Sequence, residues 1–287
     1  MEENLRYANV EIKVRKKGAE LFSAIVDGEE FIWNGKEHWA KSSPILFPFV
    51  GGLLDGKYIY KGKEYSLNTR HGFARDKEFE LLEKTENKIS YVLLSNEETK
   101  KVYPFDFKLV LSYEILNENS IKMEYKVYNT GKEEMYFSLG YHTAFFLPTN
   151  FENYYLKLDK KTKLENIPID GAFVSPNVKN LIKENSDILE ITDKLFENDA
   201  IIFDGNISNK TEIIDKNSTR KVSVIHNEPF DYVAYWRPQG SQFVCVEPWY
   251  GITDFTDTDH KLETKKGIVK LEKDKTFTSS VVYIFEK

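Results

Sequence analysis

The stretch Phe107-Lys108-Leu109-Val110-Leu111-Ser112-Tyr113-Glu114-Ile115, followed after Asn117-Glu118-Asn119 by Ile121-Lys122-Met123-Glu124-Tyr125-Lys126-Val127, decides the fold class. Apolar residues recur at every second position of both halves, the period at which strand side chains alternate between faces. The reading is an antiparallel hairpin with one wet face. The same period returns at Phe277, Ser279, Val281, Tyr283 and Phe285. Further strands are predicted at residues 10–14, at 21–26 leading through Asp27-Gly28 to Phe31-Ile32-Trp33, and at 58–67 bent at Lys61-Gly62-Lys63. Helical spacing is confined to residues 177–198, where Val178, Leu181 and Ile182 precede Ile188, Ile191 and Leu195. No linker, low-complexity tract or repeat divides the chain, so residues 1–287 read as a single all-β domain of two packed, mostly antiparallel sheets.

Of the 287 residues, 41% are hydrophobic, 14% aromatic and 30% charged. No run reaches the roughly 20 consecutive apolar residues of a membrane-spanning helix. The acidic start Met1-Glu2-Glu3, with no apolar core behind it, argues against a secretory signal. Lys and Arg number 40 against 46 Asp and Glu, a net charge of −6 too evenly spread for a nucleic-acid surface. The single cysteine, Cys245, cannot form an intrachain disulfide, and its flanks Val244 and Val246 mark it as a small core residue. A cytoplasmic monomer or homodimer is expected. The 20 Phe, 17 Tyr and four Trp suit strands and also suit a sugar-binding cleft.

Two of the five histidines stand in unusual surroundings. His71 lies in Arg70-His71-Gly72-Phe73-Ala74-Arg75-Asp76, which reads as a loop facing an oxygen-rich ligand or as a surface loop with an Arg–Asp pair. His142 interrupts the otherwise buried-looking run 138–148, as a hydrogen-bonded core histidine or as a proton carrier. His38, His226 and His260 read as surface or edge residues. Glu247 ends an apolar strand and precedes Pro248, so the chain is expected to turn at the sheet edge with the carboxylate beside Trp249. It reads as a strand-end glutamate or as a base whose pKa apolar walls raise. Neither paired cysteines nor spaced histidines support zinc, and Asp254, Asp257 and Asp259 read as a solvated turn rather than a calcium loop. No glycine-rich phosphate loop and no Gly-x-Ser-x-Gly elbow is present. No metal and no cofactor is expected.

In chain order, Pro44-Ile45-Leu46-Phe47-Pro48, His71-Gly72-Phe73-Ala74-Arg75, Gly140-Tyr141-His142-Thr143-Ala144-Phe145 and Val246-Glu247-Pro248-Trp249-Tyr250-Gly251 resemble the aldose 1-epimerase (galactose mutarotase) superfamily, in its LacX-like branch. The resemblance implies a large antiparallel β-sandwich with an open sugar-binding cleft and acid/base chemistry at C1 of a free aldose. It implies Glu247 as general base, protonated His142 as general acid and His71 as hydrogen-bond donor to the sugar. Arg75 and Asp199 are implied as contacts for sugar oxygens, with Asp204 as a substitute for Asp199. Trp249, Phe47 and Phe145 offer apolar faces to a pyranose, Phe47 and Phe145 reading equally as core, and Trp236 is placed at the cleft rim. The pattern departs at Val50-Gly51-Gly52-Leu53, where the branch commonly has an arginine after the first glycine; Arg70 is the candidate replacement. The competing implications are a hexose-6-phosphate 1-epimerase, with Arg70, Arg75 and Arg237 around the phosphate, and a noncatalytic sugar sensor.

Overall fold

The computed structural model describes residues 2–35, 37–205, 207–226 and 229–287. Phe107–Ile115 and Ser120–Asn129 form the expected hairpin, with Tyr113 opposite Met123 and Leu111 opposite Tyr125. Asn117 closes its turn: the side-chain Oδ1 accepts from Asn119 N and from Ser120 Oγ, the local bond that suits Asn to turns. On the other side of Ser120–Asn129 lies Thr276–Glu286, where Val281 faces Met123 and Tyr283 faces Ile121. All these apolar side chains are buried. At roughly 1.5–3 kcal/mol for each large apolar side chain removed from water, the ridge they form is a main source of stability.

Among the described residues, fourteen strands make one antiparallel sheet that runs from Glu80–Lys84 through this ridge to Phe243–Tyr250 and the short strands Leu139–Gly140 and Thr143–Phe146. A four-stranded sheet that includes Val10–Arg15 and Glu20–Val26 covers the hairpin half. Tyr113 ties the layers together, its hydroxyl donating to Ala19 O at 2.8 Å and accepting from Leu21 N at 3.2 Å. Val10, Ile12, Val14 and Leu21 share one core with Tyr113 and Ile115. The predicted all-β sandwich is the fold observed. No helix among the described residues is long and apolar enough to cross a membrane.

Residues 177–198 depart from the helical expectation. Asn180–Glu190 is a strand paired along Tyr154–Ile167, and only the 3-10 turn Lys194–Phe196 is helical. Register shifts between Lys157 and Glu165 break the period of two, so the apolar residues drift to a spacing that imitates a helix. Packing does not correct the impression, because Leu181 is 51% exposed.

Candidate active site

The far end of the large sheet supplies the base of the site. Phe243–Tyr250 pairs with Tyr232–Trp236 on one side and with Leu139–Gly140 and Thr143–Phe146 on the other. Gly140 faces Trp249 and Thr143 faces Val246, so the register counted across the unpaired interval sets His142 opposite Glu247 and Tyr141 opposite Pro248. Contrary to expectation, Pro248 does not turn the chain, and the strand continues to Tyr250. The N–H that proline lacks falls in the interruption between the two short strands, and its carbonyl accepts from Tyr141 N at 3.1 Å.

Glu247 and His142 thereby meet at the base of a cleft of about 180 Å³. His142 Nε2 lies 3.3 Å from Glu247 Oε2. Glu247 is 1% exposed and His142 7%. Neither carboxylate oxygen has a hydrogen-bond partner of normal geometry, and His142 Nδ1 has none on another described residue. Burial, reinforced by Asp199, raises the Glu247 carboxyl well above its ordinary range. Burial, reinforced by Arg75 and Arg70, pushes His142 down to about 3. Each group is driven toward its neutral form, so between the lowered value of His142 and the raised value of Glu247 the pair holds a single proton. The empty site favours carboxylic acid beside neutral imidazole. In the empty site a buried imidazolium flanked by two arginines is disfavoured until a ligand changes its surroundings.

His71 reaches the cleft from a left-handed bend, φ +66° at His71 and +70° at Gly72. The bend lets His71 N donate to Gly51 O at 2.6 Å while Gly51 N donates to His71 Nδ1 at 3.0 Å. An Nδ1 that accepts leaves the ring hydrogen on Nε2, so His71 is held as a neutral donor. Burial, then His142, Arg75 and Arg70, keeps its pKa well below the ordinary value. The two imidazoles meet edge to face at 5.4 Å. A Cβ on Gly72 would stand 2.2 Å from Phe47 O. Gly72→Ala is therefore expected to cost roughly 1–3 kcal/mol, the scale of a forced backbone outlier, and to displace His71. Thermal melting with sugar titration checks this; parental melting and affinity would uncouple Gly72 from the placement of His71.

Arg70 and Asp199 close one wall with an ion pair of 2.9 Å. Arg75 lines the cleft with its Nε lacking a hydrogen-bond partner. Trp249 also lines it, packed on Gly140 so closely that a Cβ there would come within 2.6 Å of the indole. Trp236 lies in the lining as well. The sequence reading missed Trp39, Ile169, Ile202 and Thr253. Trp39 sits in a polar loop that gives no signal, and Thr253 lies just beyond the last motif.

Other expectations fail for identifiable reasons. Phe47 is not in the cleft but fully buried among Phe73, Tyr103, Phe107 and Phe137. Phe145 packs edge-on against Tyr283 in the core. Arg237 is unavailable to a phosphate, since its buried guanidinium is bonded to Asp193 and Ser241 O and stacked on Phe151. Asp204 pairs with Lys179 at 3.1 Å, outside the cleft lining. His226 is fully buried beside Phe230 rather than at the surface. Asp254 is no solvated turn residue: it is buried against Lys265 and accepts from Leu54 N at 2.8 Å. Where an arginine was expected, Gly52 faces the Phe173 ring, 3.3 Å from where a Cβ would lie.

One group among the described residues, His142, Cys245 and Glu247, gathers potential metal ligands within 4.8 Å of one another. The donor set suits a cation poorly, because burial, with Glu247 adding to it, raises the Cys245 thiol well above its ordinary pKa and a metal requires the thiolate.

Comparison with known proteins bears on the family and the fold. The sequence model of the aldose 1-epimerase family matches residues 4–283. The chain is 30% identical over 260 residues to the plasmid form of protein LacX from Lactococcus lactis subsp. lactis, covering 85% of this chain and 86% of that one. A galactose mutarotase related enzyme from Lactobacillus acidophilus superposes with a TM-score of 0.94 at 32% identity, over 100% of this chain and 98% of the other. A galactose mutarotase-like protein from Lactobacillus casei ATCC 334 gives a TM-score of 0.91 at 24% identity over 100% of both chains, a likeness of fold.

Proposed function

The chain belongs to the aldose 1-epimerase family, and from that premise we propose that it interconverts the α and β anomers of a free aldohexose, with Glu247 and His142 moving the protons. A cyclic hemiacetal opens when the C1 hydroxyl loses a proton and the ring oxygen gains one. It closes to the other anomer after rotation about the C1–C2 bond. Glu247 takes the proton from the C1 hydroxyl and His142 gives one to the ring oxygen, each transfer worth about 10²- to 10⁴-fold. Opening turns carboxylate and imidazolium into carboxylic acid and imidazole, and closing reverses both changes. These are the two forms in which the pair carries its single proton, so a full cycle needs no proton from water. A bound ring draws out the charged form because its C1 hydroxyl and ring oxygen supply the partners that the empty site lacks. His71, fixed as an Nε2 donor, bonds a sugar oxygen; Arg70, Asp199, Arg75 and Trp249 hold hydroxyls and the apolar face.

The observation that carries this reading is the 3.3 Å approach of two buried ionisable groups at the base of an open cleft. NMR exchange spectroscopy on glucose, galactose and their 6-phosphates tests it. Faster anomer exchange of a neutral hexose is expected, and exchange unaffected by the protein, with or without saturable binding, would end the proposal. Arg75, whose Nε makes no hydrogen bond and stands 3.7 Å from Asp76 Oδ2, favours the 6-phosphate as the second reading. With Arg237 bonded elsewhere and Arg70 engaged by Asp199, the neutral sugar is the better match. Inorganic phosphate is expected to leave exchange unchanged, whereas competitive inhibition by it would select the phosphorylated substrate.

A further inference from the structure

We infer that Trp39 is a positioning residue for His142, its indole face holding the imidazole toward Glu247 and favouring the imidazolium formed during proton transfer. The inference rests on the proposed roles of Glu247 and His142. A histidine in a buried site is ordinarily oriented by a hydrogen bond at the nitrogen it does not use in chemistry. His142 has no such bond to a second described residue: its ring otherwise meets its own backbone, and its polar contact with another residue is Nε2 to Glu247. Rotation about the Cβ–Cγ bond would carry Nε2 away from the carboxylate.

Rings take the place of the missing bond. Trp39 stacks on His142 with centroids 4.9 Å apart and planes 26° from parallel. Trp236 meets the imidazole edge-on at 5.7 Å, and His71 does so at 5.4 Å. Trp39 is itself anchored, its carbonyl accepting from Trp33 Nε1 at 3.0 Å and its ring meeting Trp236 at 5.4 Å. The charged and titratable groups around His142 are Glu247 and the un-ionised thiol of Cys245 across the strand pair and His71, Arg70 and Arg75 from the neighbouring loop. The arginines oppose a positive charge on the ring. The negative π face of Trp39 favours one, as it would any cation held against it.

Two substitutions separate this role from plain packing. Trp39→Leu keeps an apolar cover but removes the π face, and Trp39→Phe restores one. Trp39→Leu is expected to lower kcat between about 2- and 30-fold, the range that a cation against an aromatic face contributes. Its KM and calorimetric sugar affinity should stay within about twofold of the parent, and Trp39→Phe should recover most of the lost kcat. Equal kcat for the Leu and Phe variants would overturn the inference while leaving the proposed reaction standing. A loss confined to KM would make Trp39 a platform for the sugar and also overturn it. A parent protein that does not exchange anomers removes the reaction and the inference together. Should the Leu variant not fold, Trp39→Met carries the same comparison.

Discussion

Replacing Glu247 by Gln is expected to lower kcat about 10²- to 10⁴-fold with little change in sugar affinity, and to make the folded protein less sensitive to alkaline pH. The amide keeps the size and hydrogen-bonding reach of the carboxyl but cannot take a proton from the C1 hydroxyl. The stability effect follows from the direction of the pKa shift. Burial raises the Glu247 pKa in the folded state above its value in the unfolded chain. Its contribution to stability is therefore fully present below the ordinary carboxyl range, near pH 4.3 or roughly so, and is lost as pH rises through the raised folded value. Glutamine does not titrate, so the melting temperature of Glu247→Gln relative to the parent should increase from about pH 5 to about pH 8. Melting curves at both pH values and anomer exchange at saturating sugar test the two halves. Parental kcat would remove Glu247 from the chemistry, and a pH-independent melting difference would show that its burial does not oppose ionisation. A more stable, nearly inactive variant is the outcome expected where a buried ionisable group is retained for catalysis at a cost in stability.

The hairpin around Asn117 is legible in sequence because each strand buries one face and its turn is closed by local bonds, so period and turn chemistry agree. Residues 177–198 are not, because a bulged strand with exposed leucines carries no clean period. At the site, Glu247, His142, His71, Arg70, Arg75, Asp199 and Trp249 all line one cleft. Resemblance to a family pattern singles most of them out, since spacing alone cannot place residue 142 opposite residue 247. Phe47 shows the limit of motif reading: a residue inside a shared segment can serve the core instead of the ligand. Trp39 shows the complementary limit. Its importance arises from stacking on a residue about a hundred positions away, which no local pattern encodes.

His142→Gln should lower kcat by a similar factor of about 10²- to 10⁴-fold, and the double variant with Glu247→Gln should be about as slow as the slower single variant. Independent contributions would multiply. A pair that shares one proton fails as a unit, because losing either member strands the proton on the other. The same argument fixes the shape of the parent pH profile. The singly protonated pair gains a second proton only at low pH, where His142 has been pushed to about 3, and loses its last proton only above the raised pKa of Glu247. Activity should therefore be flat through about pH 6.5, where an unperturbed histidine would titrate. Acid and alkaline limbs on either side belong to the pair rather than to one residue. His142→Ala offers a further check, because the cleft is open and imidazole is small enough to enter it: added imidazole should restore part of the rate with saturation. A parent profile that breaks near the ordinary histidine pKa, or single-variant losses that multiply in the double variant, would show two separate catalysts in place of a shared proton.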